Sequence, residues 1–511
     1  MAKSQRGIGI AMSYISVAIG LISTLLYTPV MTSIVGEVDY GIYSWALGII
    51  QNLSLFQMGL YATFTRFYSR LQAKRDREGL ARLNGLFLCM YLVIAVIAFI
   101  CGLLLMQISG TLIAWPSEIA SHPELINQTR VLMLVMIINI CITFPTYIFE
   151  SNIMVREQFI LLRAITILRQ ICNPLLSLPL LFLGFGNMSL SLATMAVTMT
   201  TSVIYIVYCF KVLKIRFKFY IPRLADLREI FGFSFFVMIN LIVDQINWSL
   251  DRILLGSLVS ASAVTIYSLA DQLSRYFFNF SSTISDVFTP KIHRIVASGS
   301  DDWELTRLFT QVARIQFMVL SLIIFGFFGV GEYFSSLYGA ASENYHEVYR
   351  VTMILFFAVL IPAIQYMAIP ILQAKNMHRF KAFANLAIVL SNAICSIPLS
   401  LMWGPTGAAL GTLIMNVLGN MVLNWYYHTR VGLDMRYFWR NMLRIMRGFV
   451  LPLCCTLIVH YVIVPDSFVS MSLCGLLIVV TYCVSILKWS MNRREQHTVF
   501  GFLERIFPSM R

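Results

Sequence analysis

The chain has 511 residues, of which 58% are hydrophobic and only 12% charged, whereas roughly a quarter of a soluble domain is charged. That balance excludes a soluble enzyme or binding module and describes a polytopic membrane protein. The formal net charge of +14 would suggest a nucleic-acid partner in a soluble chain, so it has first to be set against membrane topology.

Crossing the hydrocarbon layer takes about 20 apolar residues. Fourteen such runs follow one another, near 9–33, 40–63, 83–106, 130–151, 160–182, 187–210, 232–256, 262–287, 310–330, 350–372, 383–402, 406–427, 447–464 and 469–488. The short basic stretch Met1 to Gly7 leads into a run long enough to span, so no cleavable signal peptide is expected. The ten cysteines lie mostly inside apolar runs and form no CxxC, which is the usage of small core residues and not of disulfides or metal ligands. The seven histidines form no HxxxH or HExxH pair, and no metal site is expected.

The connections alternate in charge. Those after even-numbered spans are basic, from Arg66–Arg82 to Arg430–Arg447, while those after odd-numbered spans carry acids such as Glu37, Asp39, Glu118 and Glu124. Of the 38 Lys and Arg residues, 31 fall in the even connections and the two termini. Two, Arg130 and Arg350, fall at the other face, and five lie within spans. The bias places both termini in the cytoplasm by the positive-inside rule. It also accounts for most of the net charge, so no nucleic-acid partner is expected.

The longest basic connection, Lys211 to Glu229, separates six spans from the next six. It is amphipathic and is expected to lie along the membrane surface. A shift of 224 residues pairs Val35–Ala73 with Val259–Ala297 at ten identities in 39 positions, including Ile42-Tyr43-Ser44 with Ile266-Tyr267-Ser268. Both halves start on the same side, as in transporters built from parallel repeats, whose substrate site lies between the halves. The expected organisation is a six-helix lobe over 1–212, a cytoplasmic linker over 213–229, and a second six-helix lobe over 230–430. Residues 431–511 add two further helices and an interfacial tail.

Spans seven and eight carry the polar residues that organise the reading. Asn240, Asp244, Asn247 and Asp251 recur at helical spacing on one face, and Tyr267, Asp271, Arg275 and Asn279 do so on the next helix. A charge at mid-bilayer costs roughly 2.5–3.5 kcal/mol on insertion scales, so such residues face a water-filled path or a partner. Asp271 and Arg275, one turn apart, could also simply pair and glue helices together. Arg275 and Arg169 (the latter well inside span five) are the candidates for contacting a pyrophosphate or an acidic sugar. Asn240, Asn247, Asn279 and Tyr267 offer neutral partners to sugar hydroxyls, and Asp244, with Asp271, is the candidate for proton or sodium coupling. Arg163 and Arg314 lie near span ends, where snorkelling or structural roles are expected.

Fourteen spans, a six-plus-six repeat, two extra C-terminal spans and the segment Tyr267-x-x-Ala270-Asp271-x-Leu273 followed by Pro290 resemble a known family. It is the polysaccharide-transport branch of the multidrug/oligosaccharidyl-lipid/polysaccharide exporter superfamily. The resemblance implies an all-α bundle of two six-helix lobes in a V, with a cavity lined by spans 1, 2, 7 and 8. It further implies a flippase without cofactor that moves an undecaprenyl-pyrophosphate-linked oligosaccharide from the cytoplasmic to the periplasmic leaflet of a bacterial inner membrane. Such a flippase serves O-antigen, capsule or exopolysaccharide synthesis beside a polysaccharide polymerase and chain-length machinery. Lipid II flippases carry essential arginines in their first two spans. Here span one is uncharged, with a small polar stripe (Ser13, Ser16, Gly20, Ser23, Tyr27), and span two offers Gln51, Asn52 and Gln57, which argues against lipid II as cargo. The alternatives are a cation-coupled multidrug exporter and a membrane-embedded polysaccharide polymerase. The polymerase is disfavoured because the external connections, about 107–129 and 331–349, carry no paired acids or Ser/His/Asp set.

Overall fold

In hydrocarbon every backbone polar group has to be satisfied within the protein, so a spanning chain folds as helices or as a closed barrel. The computed structural model of this chain is helical, with no β-strand among its described residues. The structure describes residues 2–57, 59–110, 114–120, 122–220, 228, 230, 245–246, 249–286, 288–298, 301–339, 344–375, 377–492 and 495–496. The helices are α1 (Ala2–Val35), α2 (Glu37–Ile50), α3 (Leu60–Ala73), α4 (Arg77–Ile108), the short α5 (Ser117–Ala120), α6 (Pro123–Val155), α7 (Phe159–Phe182) and α8 (Met188–Lys211). There follow α9 (Ala261–Asp286), α10 (Thr289–Ala297), α11 (Asp302–Tyr338), α12 (Tyr345–Ile364) and α13 (Ala368–Ala374). The last are α14 (His378–Tyr426), α15 (Met435–Met446), α16 (Val450–Ile458) and α17 (Phe468–Trp489).

Ten helices among the described residues are long and apolar enough to cross a membrane. The chain is an all-α polytopic membrane protein. One of the ten, Arg379–Val431, has 53 residues, about 80 Å at 1.5 Å per residue, against a hydrocarbon core of about 30 Å. Trp403 and Gly404 leave helical geometry inside it, Gly404 with φ +57°, so its length divides into two crossings where the sequence separates spans eleven and twelve. α9 is long enough to cross but too polar to be among the ten.

Span two differs from its expected straight run over 40–63. α2 stops at Ile50, Gln51–Gln57 forms a tight 3₁₀ turn, and Gly59 takes a left-handed conformation (φ +65°) before α3 begins. The physical reason is local: Asn52 turns its amide onto the Gly48 carbonyl (2.7 Å), offering the backbone an alternative to the regular ladder.

Two compact units emerge. The first comprises Met1–Ser268 with Gly339–Glu343 and Ser396–Ala408; the second comprises Leu269–Tyr338, Asn344–Cys395 and Ala409–Arg511. In the first, α4, α6 and α8 pack around Phe64, Phe87, Tyr91, Phe144 and Ile148. The polar stripe of α1 meets α7: Ser23 donates to the Gln170 carbonyl (3.0 Å), Ser16 to the Gln170 amide oxygen (3.3 Å), and Tyr27 pairs with Ser177 (2.7 Å). Residues 214–220 of the linker are an irregular strap tied to α4. The Lys218 amide donates to the Ala81 carbonyl (2.9 Å) and Asn84 to the Arg216 carbonyl (3.1 Å). Gly85 permits this approach, because a Cβ there would collide with the Lys218 carbonyl. Residues 221–227 of the linker, and the tail beyond Gln496, lie outside the described residues.

In the second unit α11 packs against α12, α15 and α17. Arg314 on α11 is buried (2% exposed). It grips the Glu495 carboxylate with two nitrogens (2.7 and 2.9 Å) and donates to the Ser490 and Asn441 carbonyls (2.8 and 3.3 Å). Arg314 is thus a structural clamp that fastens the C-terminal addition, in keeping with its expected structural role. Removing one partner of a buried pair costs roughly 3–5 kcal/mol. Arg314→Ala and Glu495→Gln are therefore each expected to lower the thermal midpoint of the detergent-solubilised protein below that of wild type. Equal midpoints for wild type and Arg314→Ala would show that the clamp carries no load.

Candidate functional site

The polar stripe expected on span eight lies along α9. Tyr267 is buried and its hydroxyl donates to the Asp251 carboxylate (2.5 Å), itself only 4% exposed. One turn on, Arg275 Nε donates to Asp271 Oδ2 (2.9 Å). The Asp271 side chain is 11% accessible and that of Arg275 is 34%, so the pair sits at an edge of packed protein and not in its centre. Asn279 is exposed, and its carbonyl accepts from Ser282 and Thr283 (3.1 and 2.7 Å).

Other polar groups of α9 serve as helix glue. Gln316 of α11 donates to the Ser281 carbonyl (2.8 Å) and to Ser285 (2.7 Å), while Ser281 donates to the Ala363 carbonyl (2.7 Å). Tyr338 donates to Gln272 (2.7 Å). The helix therefore shows both behaviours: serines locked between helices, and an acid–base pair at a partly accessible edge.

The N-terminal end of α9 is held firmly. Both Glu118 oxygens accept from the Ala261 amide (3.1 and 3.0 Å), and Thr265 donates to the Glu37 carbonyl (2.5 Å). A Cβ at Gly41 would strike the Ala261 carbonyl, and one at Gly256 would strike Trp45. Ser249, on the preceding helical segment, donates to Asn52 (3.0 Å).

Arg169 lies on α7, in the first unit. Its Nε donates to Thr201 of α8 (3.1 Å) and its guanidinium lies 5.8 Å from the Tyr205 ring centre. Asn240, Asp244 and Asn247, expected on span seven, lie outside the described residues. Among the described residues no three His, Cys, Asp or Glu side chains converge on a point that would hold a metal ion. Glu150 of α6, which the sequence reading passed over, lies within electrostatic reach of Arg169. The signal was available: an acid near the end of an apolar run, three residues after Tyr147 on the same helix face.

The family model for polysaccharide biosynthesis proteins matches residues 8–296, more than half of the chain. The chain belongs to the polysaccharide biosynthesis protein family. No curated protein sequence matches this family member. Among solved structures, the lipid II flippase MurJ in an inward closed conformation has a TM-score of 0.72 at 16% identity, covering 94% of this chain and 97% of its own. An inward-facing multidrug resistance MATE family transporter of the MOP superfamily has a TM-score of 0.62 at 13% identity, covering 81% of this chain and 94% of its own. A MOP superfamily transporter from Pyrococcus furiosus, described by the reverse polarity of its binding pocket, has a TM-score of 0.58 at 15% identity, covering 83% of this chain and 95% of its own. These likenesses give the fold. The polysaccharide biosynthesis protein shares it with transporters and flippases, as the sequence resemblance implies.

Tyr267→Phe removes the hydroxyl donor from a buried carboxylate, a loss of about 1–3 kcal/mol. The variant is expected to unfold at a lower temperature than wild type in a scanning experiment on the purified protein. An unchanged midpoint would mean that the Tyr267–Asp251 bond contributes nothing to holding α9 against the segment before it.

Proposed function

We propose that this chain is a flippase that moves a lipid-linked oligosaccharide repeat unit from the cytoplasmic to the periplasmic leaflet of a bacterial inner membrane. The flipped unit feeds O-antigen, capsule or exopolysaccharide assembly. The reading is supported by membership in the polysaccharide biosynthesis family, by the flippase-type fold, and above all by the Asp271–Arg275 pair on a helix too polar to be a simple membrane anchor.

In this reading the accessible third of the Arg275 side chain is where a pyrophosphate oxygen is met, since a guanidinium suits phosphate geometry. Asp271 holds that guanidinium in place between transport cycles and, with Asp244, is the carboxylate through which a proton or sodium gradient acts. Asn240, Asn247 and Asn279 present amides to the glycan. Both termini lie in the cytoplasm, following the distribution of Lys and Arg. A polymerase and chain-length machinery take up the flipped unit. The likeness to the multidrug transporter supports a second reading, cation-coupled export of drugs.

The test is the lipid-linked oligosaccharide content of a deletion strain carrying wild type, Arg275→Ala or Asp271→Asn at matched expression. Complete lipid-linked units are expected to accumulate without the protein and to clear with wild type. Loss of a charge-assisted hydrogen bond, about 1.5–3 kcal/mol, is expected to slow clearance roughly tenfold to a hundredfold in Arg275→Ala. Normal surface polysaccharide in the deletion strain, together with new drug sensitivity, would replace the flippase reading with the exporter.

A further inference from the structure

Five helices of the first unit bring tyrosines and one acid–base couple to the same place. Glu150 and Tyr147 lie on α6, Tyr61 on α3, Tyr91 on α4, Arg169 on α7 and Tyr205 on α8. Glu150 is within electrostatic reach of each of the other five. The Tyr91 and Tyr147 rings are 6.0 Å apart, and the Arg169 guanidinium stands 5.8 Å from the Tyr205 ring. Tyr61, Tyr147, Glu150 and Arg169 are half-buried, with Tyr91 and Tyr205 buried behind them. Charges this far inside apolar helices face the bundle's interior or a water-filled path and not lipid.

The cluster holds more hydrogen-bonding capacity than it uses. The Tyr91 hydroxyl is fully buried and has no partner among the described residues. Among those residues, none donates a hydrogen bond to the Glu150 carboxylate. Buried polar groups are nearly always paired, so each exception calls for an explanation. Scaffolding explains part of the cluster, since Arg169 is bonded to Thr201. It does not explain the orphaned phenol of Tyr91.

We propose that this cluster is a subsite for an uncharged sugar residue, with the Glu150 carboxyl and the Arg169 guanidinium as partners for sugar hydroxyls and the rings of Tyr61 and Tyr147 as faces for its C–H surface. The mixed sign is what selects the class. A phosphate or acidic sugar drawn to Arg169 meets the Glu150 carboxylate, and a simple cation drawn to Glu150 meets the guanidinium. A neutral polyol accepts from one and donates to the other. The inference deepens the flippase reading and rests on it for its biological meaning. It moves Arg169 from the pyrophosphate, where the sequence placed it, to the glycan, and leaves Arg275 as the phosphate contact.

The test is saturation-transfer NMR on the full chain in lipid nanodiscs, irradiating aromatic protons in the presence of methyl glycosides of glucose, galactose, rhamnose and N-acetylglucosamine. Transfer to the ring protons of at least one glycoside is expected in wild type. It is expected to weaken roughly tenfold in Glu150→Gln, as follows from losing a hydrogen-bonding carboxyl oxygen, and to weaken also in Tyr147→Leu, provided that each variant keeps the wild-type elution profile. Inorganic pyrophosphate is expected not to displace the glycoside. Absence of transfer in wild type, equal transfer in two folded variants, or displacement by pyrophosphate would each overturn the subsite. No transported lipid enters this readout, so its failure leaves the flippase reading standing. A deletion strain that accumulates no lipid-linked units would instead sink the flippase and leave the sugar contact intact.

Discussion

A charge carried into hydrocarbon has to be met by another polar group, and that requirement arranges this molecule more than any preference of its apolar residues. Lipid tails are as apolar as leucine, so burying leucine does little to choose one helix neighbour over another. What chooses is polar. Arg314 takes Glu495 and two carbonyls, Asp271 takes Arg275, Asp251 takes the Tyr267 hydroxyl, and both oxygens of Glu118 take the amide that opens α9. Beside such bonds small residues allow the close approach, as Gly41 does against Ala261 and Gly85 against Lys218.

These pairs divide by accessibility into two kinds. Arg314 is enclosed and bonded on several sides, which leaves it no freedom to meet a solute. Arg275 is a third accessible and Glu150 and Arg169 are half-buried, so a passing polar group can compete for them. The former fix helices for the life of the protein. The latter suit a transport path, where binding has to be favourable yet reversible.

Hydropathy made most of the fold legible, because a spanning run of about 20 apolar residues has few other uses. The observed α7, α8 and α17 begin and end within two residues of the expected spans. The break at Trp403–Gly404 falls where spans eleven and twelve were divided. Span two was misjudged because hydropathy averages over the Gln51–Gln57 turn, whose cause is a side-chain bond from Asn52 that no average detects. On α9 the periodicity set Tyr267, Asp271, Arg275 and Asn279 along one helix, and it also allowed the Asp271–Arg275 pairing that the structure contains. It could not tell that Tyr267 would meet Asp251, since that bond depends on how two helices are turned toward each other. Glu150 escaped because attention to basic residues, which topology demands, passes over a lone acid. Its neighbours come from four other helices that only folding assembles.

Under the proposed function the protein moves a sugar-bearing lipid between leaflets. The most direct measurement is flipping by the purified chain in proteoliposomes containing a fluorescent polyprenyl-pyrophosphate oligosaccharide, read by the fraction that a membrane-impermeant quencher can reach. If the claim is right, the protected fraction falls with time as wild-type protein carries inner-leaflet lipid outward, and it falls far more slowly with Arg275→Ala. A protected fraction that stays at the level of protein-free vesicles, with a properly folded and correctly inserted protein, would contradict it.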